Sequence, residues 1–300
     1  MEDLYKNRVV ASLTTMPYRY EKLLKTLKSL HSQTYKLDAI YLAVPKVSRR
    51  LNTEYPPVPN DISSLCTVVS CEDYGPITKI YGALYCEEDS ETIIITFDDD
   101  MFYPYDIVES LVKHHQKYPN SAIGSSGMLV KYNCPFCAIT PNEDRFVYRI
   151  PKFYVPPEGR RVDSIFGYPG ALYIRKFFPK KENLNELFKY SLMNEDMFMN
   201  DDIVISGYLS LFNIERRIFQ DVPKVSFIVD ENGHRNRNEN EISYNLDKFF
   251  HRLNNAIIHC KSLGMYSRTE PVDFSETIFG IGAVIVITII VATIAVLYYK

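Results

Sequence analysis

Three consecutive aspartates, Asp98, Asp99 and Asp100, close the apolar run Ile93-Ile94-Ile95-Thr96-Phe97. A run without polar alternation reads as a strand buried on both faces, and in open parallel sheets ligands bind just beyond the carboxyl ends of strands. Carboxylates at such a place suit Mg2+ or Mn2+, hard ions held by one or two carboxylates together with substrate phosphates. An ion there stabilises charge on a departing diphosphate, which is the difficulty in breaking a sugar-phosphate bond. A bare acidic triplet is ordinarily a solvated turn; the apolar strand before it argues against that here.

The elements that must position these carboxylates are legible from periodicity. Residues 8–14, 38–44, 67–70 and 92–97 read as strands, and residues 21–31 and 77–86 as helices, the first with Leu23, Leu24, Leu27 and Leu30 on one face. Residues 15–19 and the Pro-rich stretch 55–59 are loops. This alternation predicts a parallel sheet covered by helices on both faces. A helix over 106–117 and a strand over 121–128 follow. The pattern is lost over 134–159, resumes at 164–174, and gives helices over 184–191, 201–212 and 244–262, the last after a polar linker at 235–240.

Composition sets limits on partners. A formal net charge of -3 is no basis for general nucleic-acid binding. The 17 Phe and 23 Tyr supply a globular core. The six cysteines lack the dense spacing of a disulfide framework, and Cys134 with Cys137 lacks the second ligand pair of a structural zinc site, so these thiols are expected to be reduced.

The segments Ser12-Leu13-Thr14-Thr15-Met16-Pro17-Tyr18-Arg19, Glu72-Asp73-Tyr74-Gly75-Pro76-Ile77-Thr78-Lys79 and Phe97-Asp98-Asp99-Asp100, in this order and each at a strand end, resemble the nucleotide-binding half of GT-A glycosyltransferases with a DXD motif (family 2-like). The resemblance implies a Rossmann-like α/β fold and transfer of a sugar from a nucleotide-sugar donor to a glycan, glycolipid or protein acceptor. It implies that Thr14, Thr15 and Arg19 line the nucleotide and Asp73 meets base or ribose. Lys79 would lie near the phosphates, Asp98 and Asp99 beside ribose or sugar, and Asp100, with Asp98, on Mn2+ or Mg2+. Arg forks and Lys point charges suit phosphate, and carboxylates accept from ribose hydroxyls.

An inverting transferase needs a base for the acceptor hydroxyl proton. Asn194-Glu195-Asp196 and Asn200-Asp201-Asp202 both qualify by position. The family's pattern, an acidic pair at a helix start before apolar residues, favours Asp202 as base with Asp201 beside it. The plainer reading of that pair is favourable charge at a helix N-terminus. Phe166-Gly167-Tyr168-Pro169-Gly170 resembles the segment passing the donor sugar, with Gly170 allowing close backbone approach. His234 is a candidate further metal ligand by the same resemblance.

Residues 278–299 carry no charge and end in Tyr298-Tyr299-Lys300; about 22 residues at about 1.5 Å each cover a hydrocarbon core of about 30 Å. A single C-terminal membrane span is expected. Lys261 and Arg268 before it place the catalytic domain on the cytosolic side. The expected organisation is a transferase domain over 1–250 with its nucleotide-binding half up to about 130, a helix and linker over 251–277, and the anchor. Two other functions fit the same outline. A sugar-nucleotide nucleotidyltransferase would be expected to carry a glycine-rich loop after the first strand, and residues 13–19 contain no glycine. A non-catalytic adaptor of this fold would not require intact Asp98, Asp100 and Asp202.

Overall fold

Apolar β-branched runs become the centre of one sheet. The computed structural model describes residues 7–130, 147–149, 155–229 and 246–267. In chain order come β1 (Val9–Thr14), α1 (Tyr20–His31), β2 (Ala39–Pro45), a short hairpin of β3 (Val47–Ser48) and β4 (Thr53–Glu54), α2 (Asn60–Ser63), β5 (Thr67–Cys71), α3 (Thr78–Cys86) and β6 (Ile93–Thr96). Then follow β7 (Met101–Phe102), α4 (Ile107–Lys117), β8 (Ser121–Gly124), β9 (Gly127–Val130), β10 (Val147–Arg149), β11 (Arg160–Arg161), β12 (Ser164–Ile165) and β13 (Ala171–Ile174). The chain continues through α5 (Asn185–Ser191), α6 (Glu195–Phe198), α7 (Asp201–Leu211), β14 (Glu215–Ile218), β15 (Ser226–Phe227) and α8 (Leu246–Ser262).

Among the described residues, eight strands form one mostly parallel sheet in the order β11-β14-β8-β13-β6-β1-β2-β5. The neighbours β6, β1, β2 and β5 are parallel, as are β8 and β14. β13 is antiparallel to both β6 and β8, and β11 to β14. Val9, Val10, Ala11 and Leu13 of β1 and Ile94 and Ile95 of β6 have no exposed surface. Continuous burial along a strand means that both faces are covered, and each buried Val, Leu or Ile side chain contributes about 1.5–3 kcal/mol.

The expected parallel core over 8–97 is present, with strand ends moved by a residue or so. The expected strand over 121–128 is instead two. β8 stays in the main sheet and β9 leaves it, pairing with β10 and β12 in a three-stranded sheet. The break falls in Gly124-Ser125-Ser126-Gly127, residue types that weaken strand continuity and favour turns. β14 had no forecast, because Glu215-Arg216-Arg217-Ile218 has neither an apolar run nor a clean alternation.

The described chain up to Tyr266 is one compact unit, which α8 joins by packing on α6 and α7. Leu253, Ala256, Ile257 and Cys260 of that helix are buried. Among the described residues no helix is long and apolar enough to cross a membrane. The expected span over 278–299, the linker at 235–240, His234, Cys134 and Cys137 lie outside the described residues.

Candidate functional site

The chain lays down β1, β2 and β5 in one direction and then returns to place β6 on the other side of β1. Such a reversal opens a crevice at the carboxyl edge of the sheet. Parallel register sets Ser12 beside Thr96, so the loop after β1 and the aspartate triplet after β6 emerge side by side. Antiparallel β13 starts at that same edge, with Ala171 opposite Thr96, which delivers residues 166–170 next to Asp98. The helices α3, following β5, and α7, preceding β14, both begin there too.

The middle aspartate is committed to the fold. Asp99 accepts from the Thr15 hydroxyl at 2.6 Å and from Arg19 Nη1 at 2.8 Å. Arg19 Nη1 is also 3.7 Å from Asp100. Burial alone would lower the Arg19 guanidinium, but Asp99 and Asp100 outweigh it and raise it above its ordinary value. From α1, the Thr26 hydroxyl bonds the carbonyls of Asp99 at 3.0 Å and Met101 at 2.8 Å, which fixes the triplet's backbone.

Asp98 faces elsewhere. Its Oδ1 accepts from Lys79 Nζ, and that ammonium lies 2.9 Å from Asp201 Oδ2 at the head of α7. Asp202 Oδ1 accepts from the Gly167 amide at 2.8 Å. One ammonium therefore stands among three carboxylates. Burial would lower the Lys79 ammonium; Asp201, Asp98 and Asp202 reverse that and hold it well above its usual value. Burial, with the charge of Asp201, pushes the Asp202 carboxyl well above the usual carboxylate range, against the pull of Lys79.

The rival pair Glu195 and Asp196 is turned away. Arg252 of α8 pairs with Glu195, and Asn255 donates to Asp196 at 3.0 Å. The remaining expected residues make contacts within the fold. Thr14 donates to the Ala43 carbonyl at 2.7 Å. Asp73 accepts from the amides of Arg49 and Gly75 at 2.7 and 2.8 Å, holding the turn that leads into α3. Gly170 has a φ of +91°, which favours glycine, and a Cβ there would sit 3.1 Å from the Phe97 ring.

Three contributors escaped the sequence reading. The Tyr103 hydroxyl accepts from the Asp98 amide at 2.8 Å and donates to the Tyr168 carbonyl at 3.0 Å, tying the triplet to the 166–170 loop. The Tyr55 hydroxyl holds the Thr15 carbonyl at 2.8 Å. The Gly167 amide grips Asp202. A tyrosine shortly past an acidic turn carries no periodic signal, and a backbone amide carries no residue type at all.

Among the described residues no group of three or more His, Cys, Asp and Glu side chains is arranged to hold a metal ion. The oxygens present still fit a hard divalent cation that brings its own waters and phosphates. Asp98, with a side chain 28% exposed, keeps Oδ2 clear of any described partner. Asp100 stands two residues on at the same strand end. No protein-family model matches the chain, and no curated protein matches it.

Proposed function

We propose that this protein is a metal-dependent glycosyltransferase of GT-A type, moving a sugar from a nucleotide-sugar donor to an acceptor hydroxyl with inversion. The reading rests on one observation above all. Lys79, Asp98, Asp201 and Asp202, drawn from three separate segments, meet at the carboxyl edge where the strand order reverses.

The donor's nucleotide lies along the loop after β1 and the turn before α3. Asp98 and Asp100 would hold Mn2+ or Mg2+, which when bound stabilises the negative charge of the leaving diphosphate. The loop over 166–170 runs beside the donor sugar. Asp202 takes the acceptor's hydroxyl proton as that oxygen bonds to the anomeric carbon. The bond from this carbon to the diphosphate breaks, and its electron pair leaves on the phosphate oxygen. A carboxylate held above the ordinary range is a stronger base near neutrality. Asp202 also has an oxygen left for the acceptor, since only its Oδ1 is engaged by a described donor. The acceptor is a glycan, glycolipid or protein, and the C-terminal apolar segment tethers a cytosolic domain to a membrane.

Binding tests this without a choice of acceptor. Thermal unfolding of the full chain in detergent, followed against a panel of sugar nucleotides with Mn2+, with Mg2+ and with chelator, should show stabilisation by one donor only when metal is present. Stabilisation by no donor under any of these conditions would sink the reading.

A further inference from the structure

The resemblance assigns Lys79 to donor phosphate, yet its ammonium is already engaged. The side chain is 7% exposed, and Nζ joins Asp98, at the end of β6, to Asp201, in the first turn of α7. These two carboxylates belong to what the sequence reading separates as the donor and acceptor halves. The head of α7 has no side-chain cap: the Asn200 side chain makes no cap bond and donates instead to the Asp196 carbonyl at 2.7 Å. Its backbone is held by the Ser164 hydroxyl on the Asp202 carbonyl at 3.0 Å and the Tyr266 hydroxyl on the Ile203 carbonyl at 2.6 Å, while the acidic side chains are held by Lys79 on Asp201 and the Gly167 amide on Asp202.

The lysine is itself well anchored. It lies in the first turn of α3, below a turn fixed by Asp73 on the Gly75 amide and by the Thr78 hydroxyl on the Tyr74 amide at 3.0 Å. Space around Nζ is narrow, since a Cβ on Gly167 would come within 3.4 Å of it. A compact ammonium suits such a place better than a planar guanidinium fork. Without the cation, Asp98, Asp201 and Asp202 would face one another as partly buried like charges, and their repulsion would drive the two segments apart.

We infer that Lys79 is a positioning residue: its ammonium fastens the head of α7 to the aspartate triplet and so sets where the base Asp202 stands relative to the donor. As a statement about catalysis this rests on the glycosyltransferase reading; as a statement about the fastening it does not.

The test uses the full chain in detergent as wild type, Lys79→Met, Lys79→Arg and Asp201→Asn. Amide hydrogen exchange over residues 201–205 and donor turnover are measured together. In Lys79→Met, exchange at the head of α7 should rise about tenfold or more while the interior of α3 keeps its protection. In turnover, kcat should fall about 100-fold with donor KM held within about threefold. Asp201→Asn should move both readouts the same way to a smaller extent, and Lys79→Arg should recover part of kcat. A rise of about tenfold in donor KM, with kcat and α7 exchange unchanged, would make Lys79 a phosphate ligand alone and overturn the inference. Should Lys79→Met fail to fold, Asp201→Asn decides, and unchanged exchange and kcat there would likewise overturn it. If the wild type turns over no donor, the glycosyltransferase reading fails, while exchange still shows whether the fastening exists.

Discussion

The Gly167 amide donates to Asp202 Oδ1 across 2.8 Å, and a Cβ on Gly167 would stand 2.9 Å from that same oxygen. Asp202, the proposed base, is thus held by a residue that can approach only because it has no side chain. A methyl group there is too close for ordinary contact, and the side chain that must yield is that of Asp202, the base in the proposed mechanism. Gly167→Ala should lower kcat by about tenfold to hundredfold, the cost of misplacing a reacting group. Donor binding, read by thermal shift, should stay near the wild-type value, since the added atom faces Asp202 and Lys79.

The position of Asp202 gives a stability prediction with a definite sign. Its folded carboxyl titrates well above its unfolded value, because burial and the charge of Asp201 oppose ionisation. Between those two values the folded state binds more protons than the unfolded state, so this group's contribution to stability falls as pH rises through the window. Asp202→Asn removes that penalty. The variant should melt above wild type at pH 8, and the difference should shrink as pH falls. Activity should be lost. Melting curves of both proteins from pH 4 to pH 8 check the sign.

Asp99 is predicted to matter to the fold rather than to the metal. It is buried, with one oxygen on Thr15 and the other on Arg19. Removing one member of a buried pair costs about 3–5 kcal/mol where the other charge is left uncompensated, and Asp100, 3.7 Å from Arg19 Nη1, offsets part of that. Asp99→Ala should therefore lower the denaturation midpoint strongly, whereas Asp100→Ala should chiefly abolish the metal dependence of donor binding. Chemical denaturation of the two variants, beside donor thermal shifts, separates the roles.

The first acidic pair of the 194–202 region should be dispensable. Glu195 and Asp196 turn toward Arg252 and Asn255 of α8. Glu195 is largely exposed, and exposed pairs contribute about 0–1 kcal/mol. Glu195→Gln should leave turnover unchanged and shift stability by no more than that, as initial rates and melting curves would show.

How much of this could be read from the chain follows from what each signal is made of. The strands up to residue 97 and the edge where they place Asp98 were legible because apolar period and length encode buried strands. The preference for Asp201-Asp202 over Glu195-Asp196 as the candidate base came from the family's pattern of an acidic pair before an apolar helix. What the sequence left open depends on pairs far apart in the chain. Lys79 and Asp201 are partners only because α3 and α7 both begin at one edge, and antiparallel β13 brings Gly167 to Asp202. Such relations belong to topology, and no local period records them. The departure of β9 from the main sheet is similar, since its apolar residues would fit either sheet.

The central claim is tested most directly by donor turnover. The full chain in detergent, given a panel of sugar nucleotides with Mn2+, with Mg2+ and with chelator, is followed for release of nucleoside diphosphate, with Asp100→Ala measured alongside. A metal-dependent glycosyltransferase should release nucleoside diphosphate from one donor, with release lost under chelator and lost in the variant. Release from no donor by the wild type, or release indifferent to both chelator and the variant, would contradict it.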